Sequence, residues 1–258
     1  MKPIQIIFFD IDGTLIDPAT KKISPKTMEA LQRLEEKGIR RGIVTGRPPA
    51  SLPDFGPLHF DVMATFNGCL CYTDEKIVYD TPIDPQEVQQ VLQNATALGR
   101  PVSVAVRDRL AANGVERDLA DYYRLAGLEL TEAPDFDQAC REPVYQIMLS
   151  YRPGEDEKIL QGTENLKIAL SWERAADVIP ATGGKGVAIR HVLEYYGMDP
   201  SQAMAFGDSH NDMDMFRAVG NGIAMGNATQ ALKEIAADIC GPVSQDGIYH
   251  YCLEKGLI

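Results

Sequence analysis

Apolar and polar positions run along this chain in two rhythms. Residues 4–9 form an apolar run of strand length broken only by Gln5, the pattern of a strand buried on both faces. A polar Asp-Ile-Asp-Gly-Thr turn follows. From Ser24-Pro25 the rhythm lengthens: Ser stands as N-cap, Pro at the first helical position, and Met28, Leu31 and Leu34 recur at helical spacing until Gly38. Residues 39–44 read as a second strand with Thr45-Gly46-Arg47 at its exit. Residues 62–66 read as a third, ending at Asn67-Gly68. Strand, helix, strand with polar loops at the strand exits is the start of an open α/β sheet.

The same texture returns late in the chain. Residues 183–196 predict a helix, 203–206 a strand followed by Gly207-Asp208, 211–218 a helix and 222–225 a short strand. Asn227 reads as the N-cap of a helix to about residue 237, with Gln230 at the third helical position, and 246–255 close the chain as a helix. Between these halves the pattern differs. Helical stretches at 85–98 and 116–125 mix with strand-like runs at 102–106, 144–150 and 167–171, and no phosphate-type loop occurs. The expectation is a discontinuous core, 1–81 and 182–258, interrupted by an inserted α/β domain over 82–181.

Composition narrows the function. The chain has 258 residues, enough for two domains, and 45% of them are hydrophobic. Its formal net charge of −12 argues against nucleic acid and against anionic lipid surfaces, both of which attract basic faces. No secretion signal and no membrane-length apolar run is visible. The five cysteines lack Cys-x-x-Cys spacing and read as reduced thiols, so a cytoplasmic location is expected. No obligate protein partner is evident.

The strand exits carry the chemistry. Ligands of open α/β sheets bind outside the carboxyl ends of the strands, and Asp10 and Asp12 fall there. Asp-Gly alone is ordinary turn chemistry, but two carboxylates this close need a shared proton or a cation to offset them. Each other exit supplies a complementary part. Thr45 and Gly46 offer a hydroxyl and open amides for a phosphoryl oxygen. Lys185, in Gly-Gly-Lys-Gly, offers a cation at a helix start. Asp208 and Asp212 offer further carboxylates, and hard oxygen ligands without a His/Cys cluster suggest Mg²⁺.

With these residues the chain resembles the haloacid dehalogenase superfamily, in its Cof-type, sugar-phosphatase-like branch with a large C2B-type α/β cap. The matching residues are Asp10-Ile-Asp12-Gly-Thr14, Thr45-Gly-Arg47, Asn67-Gly68, Lys185-Gly186 and Gly207-Asp208-x-x-Asn211-Asp212. Gly222-Ile-Ala-Met-Gly226-Asn227 and Asp246-Gly247-Ile also match. The resemblance implies a Rossmann-like core, a mostly parallel sheet with flanking helices, and a Mg²⁺-dependent phosphatase working through an aspartyl-phosphate. It implies Asp10 as nucleophile, Asp12 as general acid and base, and Mg²⁺ on Asp10, the Asp12 carbonyl and Asp208. Thr45, Gly46, Lys185 and Asn211 would bind the phosphoryl group, with Thr14 (orienting Asp12), Arg47, Asn67 and Asp212 in support.

The inserted domain would select the substrate, a small phosphorylated metabolite such as a hexose or pentose phosphate. Trp172, Arg174 and Asp177, just before the chain re-enters the core, are the candidate specificity residues. Many relatives carry Glu-Ile-x-Pro where this chain has Asp177-Val-Ile-Pro180. Rival readings are a phosphomutase of the same superfamily, or a phosphatase for pyridoxal phosphate, phosphoglycolate or a nucleotide. A non-enzymatic metal-binding module of EF-hand type fails because Leu15 and Arg217 stand where its loop glycine belongs. A nucleotide P-loop fails because Gly186 follows Lys185. The four histidines form no metal-spaced cluster, and only His210 lies inside a motif.

Overall fold

The computed structural model describes residues 3–258; Met1 and Lys2, which begin the expected first core segment, lie outside the described residues. The chain opens with β1 (Ile6–Phe9), all four residues buried, which is why its apolar run is unbroken. Helix α1 (Pro25–Glu36) follows, its N-cap Ser24 accepting from the Thr27 amide and Pro25 at the first turn. Then come β2 (Arg40–Val44), β3 (Val62–Thr65), β4 (Leu70–Tyr72) and β5 (Ile77–Asp80). A second stretch contains α2 (Pro85–Ala97), β6 (Val102–Val106), β7 (Arg109–Ala112), α3 (Arg117–Leu125), α4 (Phe136–Ala139), β8 (Val144–Ser150), α5 (Asp156–Ile159), β9 (Leu166–Trp172) and β10 (Ala175–Pro180). The last stretch holds α6 (Lys185–Tyr196), β11 (Ala203–Gly207), α7 (Met213–Ala218), β12 (Asn221–Ala224), α8 (Gln230–Ile235), β13 (Asp238–Ile239) and α9 (Gly247–Glu254).

These strands form two sheets. The large one runs β13-β12-β11-β1-β2-β3-β4-β5. It is parallel from β13 to β3, and β4 and β5 add an antiparallel edge. β1 lies between β2 and β11, so the chain order reverses across it. Such a switch point opens a crevice at the carboxyl ends of the strands. The smaller sheet, β7-β6-β8-β10-β9, is antiparallel throughout. The fold is thus the α/β class expected, with a second sheet alongside the parallel one.

The two sheets do not merely touch. Phe66, Cys69 and Leu70 from the large sheet's side share an apolar cluster with Leu119, Tyr123, Tyr145, Met148 and Ile179. Within it Phe66 stacks on Tyr145 with ring centroids 4.7 Å apart. The chain passes between the sheets twice, and the passages lie side by side: Tyr79 donates to the Thr182 carbonyl at 2.8 Å, and the Thr81 and Thr182 hydroxyls are 2.9 Å apart.

Several local expectations need correction. Asn227 does not cap a helix. Its amide donates to the Gly13 carbonyl at 2.8 Å and its oxygen accepts from the Val243 amide at 2.9 Å, so α8 begins three residues later. Strand β10 was hidden because Asp177 interrupts an otherwise buried apolar run. Strand β5 was hidden because it is an edge strand, exposed or half-buried throughout, without a regular alternation.

Candidate active site

β1 ends at Phe9, and the next residue, Asp10, is buried with its amide donating to the Phe206 carbonyl on neighbouring β11. The chain then turns sharply. Gly13 has φ +81°, and a Cβ there would collide with the Asp208 carboxylate, so glycine is required on both counts. The turn thereby brings the exits of β1 and β11 into contact. Thr14 donates to Asp208 Oδ1 at 2.9 Å, so it orients Asp208 rather than Asp12.

Lys185, the first residue of α6, sits beneath these groups and is almost fully buried. Its ammonium donates to Asp10 Oδ1 at 2.7 Å and to Asp212 Oδ1 at 2.6 Å. The other Asp212 oxygen accepts from the amides of Asp208 and Ser209 at 2.9 and 3.0 Å. Asp212 therefore has both oxygens engaged and acts as a brace for the β11 loop. Gly186 is needed next to Lys185 because a Cβ would strike the Asp214 carbonyl.

One carboxylate oxygen each from Asp10, Asp208 and Asp212 lies within 4.8 Å of the others. Burial, opposed by Lys185 and reinforced by Asp212, pushes the Asp10 carboxyl up from its ordinary range. Burial, then Asp10 and Asp212, push Asp208 well up. Although burial disfavours a charged amine, Asp10 and Asp212 hold Lys185 above its ordinary value. One buried ammonium thus faces three carboxylates. Hard oxygen donors carrying uncompensated negative charge are the donor set of a divalent cation such as Mg²⁺.

Asp12 stands apart from this cluster. Its carboxylate accepts from Arg47 Nε and Nη2, both at 2.7 Å. Arg47 also donates to the Ser51 carbonyl at 2.8 Å, and its amide donates to Thr45 Oγ1 at 3.1 Å. Thr45 itself is buried at the exit of β2, with Gly46 beside it.

Asn67 has φ 53°, a left-handed conformation that asparagine tolerates. Its side chain is a junction between the sheets. The oxygen accepts from Asn211 Nδ2 at 2.9 Å, and the amide donates to Asp177 at 3.0 Å and Gln146 at 3.3 Å. Asp177 is fully buried and also accepts from the Tyr122 hydroxyl at 3.0 Å. Burial pushes its carboxyl up to about 7 despite hydrogen bonds from Asn67 and Tyr122.

A cavity of about 160 Å³ lies over Asp10, Asp12, Thr45, Gly46, Arg47, Asp208 and Asn211. Its other wall comes from β7, α3, β8 and β9. Of the three residues expected near the substrate, Trp172 lines this cavity while Arg174 and Asp177 do not. Arg174 pairs with Asp118 at 2.8 Å and Asp121 at 3.4 Å, and its guanidinium lies 4.2 Å from the Trp172 ring centre. His210 faces a second, more open cavity behind Asn67 and Asn211. The pattern of the sequence missed Tyr122, Gln146 and Ser171 as wall residues. None carries a motif, and only the packing of α3, β8 and β9 brings them together.

All five cysteines are buried and unpaired. Among the described residues, no helix is long and apolar enough to cross a membrane.

Comparison with known proteins agrees with this geometry. A family model described as haloacid dehalogenase-like hydrolase matches residues 7–252. The chain is 31% identical to YkrA of Bacillus subtilis (strain 168), a phosphatase by name rather than by stated substrate, over 98% of both chains. It is 28% identical to the pyridoxal phosphate phosphatase YbhA of Escherichia coli (strain K12), over 96% of this chain and 97% of that one. Among solved structures, the subclass IIB sugar phosphatase BT4131 superposes with a TM-score of 0.90 at 27% identity, covering 98% of this chain and 100% of that one. The chain therefore belongs to the haloacid dehalogenase-like hydrolases, and within that family it is a phosphatase that hydrolyses phosphoric monoesters.

Proposed function

We propose that the protein is a Mg²⁺-dependent phosphatase of small phosphorylated metabolites, with Asp10 as nucleophile and Asp12 as general acid and base. The observation that carries this reading is the pairing of two differently held carboxylates at one strand exit. Asp10 lies in the charged cluster with Lys185, while Asp12 lies outside it on Arg47. One is suited to form a bond to phosphorus, the other to move a proton.

Asp10 attacks the phosphoryl group and the ester P–O bond breaks. Asp12 delivers a proton to the departing oxygen. A water then gives its proton back to Asp12 and attacks the aspartyl-phosphate, releasing inorganic phosphate and restoring Asp10. Thr45, the Gly46 amide, Lys185 and Asn211 would hold the transferring oxygens. Asp10, Asp208 and the main-chain carbonyl of Asp12 would hold Mg²⁺, with Asp212 as brace. When bound, Mg²⁺ supplies the charge neutralisation that lets an anionic nucleophile approach an anionic ester. Residues 82–181 act as a cap that encloses the leaving group and excludes water.

With a net charge of −12, attraction of the substrate falls to local groups, Arg47, Lys185 and the Mg²⁺ the site would hold, because the long-range field is screened beyond about 8 Å at physiological salt. The sugar phosphate expected from the sequence has the support of one solved relative, and pyridoxal phosphate that of another relative's name. The test is release of inorganic phosphate from a panel of phosphate monoesters, with and without Mg²⁺, ranked by kcat/KM. Conversion of glucose 1-phosphate to glucose 6-phosphate without phosphate release would replace the phosphatase by a mutase.

A further inference from the structure

The wall that residues 82–181 present to Asp10 and Asp12 contains no charged side chain. Leu110, Tyr122, Leu125, Leu128, Met148 and Trp172 dominate it, and every charged residue lining the cavity (Asp10, Asp12, Arg47, Asp208) belongs to the phosphate side. The groups that could read a polar ligand are turned away or already used. Arg174 is paired with Asp118 and Asp121. The Tyr122 hydroxyl is bonded to Asp177 and lies 2.8 Å from Ser171 Oγ. The Gln146 side-chain oxygen accepts from Asn67 at 3.3 Å, and the side chain lies beside Asp177. The Tyr122 and Trp172 rings stack with planes within 7° and centres 6.1 Å apart, so the aromatic part of the wall is held rigid.

From this wall we infer that the leaving group is neutral and carries an apolar, ring-sized face, rather than being a polyol or an acid. The inference rests on the phosphatase reading for its phosphate end and narrows the ester class differently from the sugar phosphate that the sequence suggested. Burying a hydroxyl without a partner is penalised, and a hexose would bring several to a wall whose hydroxyl and amide groups are engaged with one another. A carboxylate or second phosphate would meet no cation there. An apolar face loses nothing and gains contact with the rings. The cavity of about 160 Å³ must also hold the phosphoryl group, so the leaving group it encloses is small.

The test compares benzyl phosphate and cyclohexylmethyl phosphate with glucose 6-phosphate and glycerol 3-phosphate on the Mg²⁺-loaded enzyme. All four are esters of primary alcohols, so the chemistry of departure is closely matched. The ring esters should lead by about tenfold or more in kcat/KM, the scale on which apolar pockets discriminate. Equal or better use of the sugar or glycerol ester overturns the inference. A binding readout separates this outcome from failure of the phosphatase reading. Trp172 is the single tryptophan of the chain, so its fluorescence reports occupancy of the wall. Benzylphosphonate should perturb it at about tenfold lower concentration than 2,3-dihydroxypropylphosphonate. If no ester is hydrolysed and this preference holds, the phosphatase reading falls and the inference stands. If the polyol analogue binds as well, the inference falls whatever the activity. Leu128→Asn, at a half-buried position, should lower kcat/KM for benzyl phosphate more than for glycerol 3-phosphate, and equal losses would count against a direct contact.

Discussion

Arg47 grips Asp12 with two nitrogens at once, Nε to Oδ2 and Nη2 to Oδ1, each at 2.7 Å. This two-point pairing fixes the plane of the Asp12 carboxyl, so Arg47 sets the orientation of the proposed acid and base. A planar fork cannot be replaced by an ammonium, so Arg47→Lys should behave nearly as Arg47→Ala. Both should lower kcat/KM for an alkyl phosphate by about 10²-fold, and less for p-nitrophenyl phosphate, whose leaving group departs without a proton. A uniform loss across leaving groups would mean that Arg47 binds phosphate instead.

Asp10→Asn should lower kcat by at least about 10³-fold, because an amide does not attack phosphorus at a useful rate. The variant should keep its circular dichroism and its cooperative thermal transition. A folded Asp10→Asn enzyme with near wild-type turnover would remove Asp10 from the mechanism.

Mg²⁺ should do two separable things. Chelator-treated protein should lose activity and regain it on addition of Mg²⁺. The same addition should also raise the melting temperature, because a cation bound only by the folded state relieves the repulsion among Asp10, Asp208 and Asp212. Asp208→Asn should weaken both responses. Full activity in metal-free protein, or no thermal shift at saturating Mg²⁺, would contradict the site.

Asp177 ties stability to pH in a direction unusual for a carboxylate. Burial raises it from 3.8 to about 7, against hydrogen bonds from Asn67, Tyr122 and Gln146 and the more distant charge of Lys185. Between those two values the folded state holds a proton that the unfolded state has released. This group's contribution therefore falls as pH rises from about 4 to about 7 and is constant above. Asp177→Asn carries no such dependence. Its melting temperature relative to wild type should rise from pH 5 to about pH 7 and level off above, whatever constant offset the lost bonds impose. A difference that is flat or falls with pH would show that Asp177 is ionised throughout.

Local patterns determined a great deal of this protein. The unbroken run of β1, the Ser24-Pro25 start of α1 and the glycines at the strand exits are short-range solutions to steric and hydrogen-bonding problems, and they read directly from neighbours in the chain. So does the set Asp10, Thr45, Lys185, Asp208 and Asp212, because each stands at the exit of a strand or the start of a helix and a parallel sheet gathers such ends at one edge. The tertiary structure decided everything that depends on which side chain meets which across the fold. Thr14 turns to Asp208 because Gly13 brings that carboxylate close. Asn227 ties a loop to Gly13 instead of capping a helix. Arg174 is spent on Asp118 and Asp121, and Asp177 is sealed behind Tyr122, so the charged residues next to Trp172 do not face the substrate. The apolar wall that remains comes from β7, α3, β8 and β9, elements distant in sequence, and no local spacing encodes the contact among them. Its chemistry follows from burial and from the pairing of charges, which only the folded chain specifies.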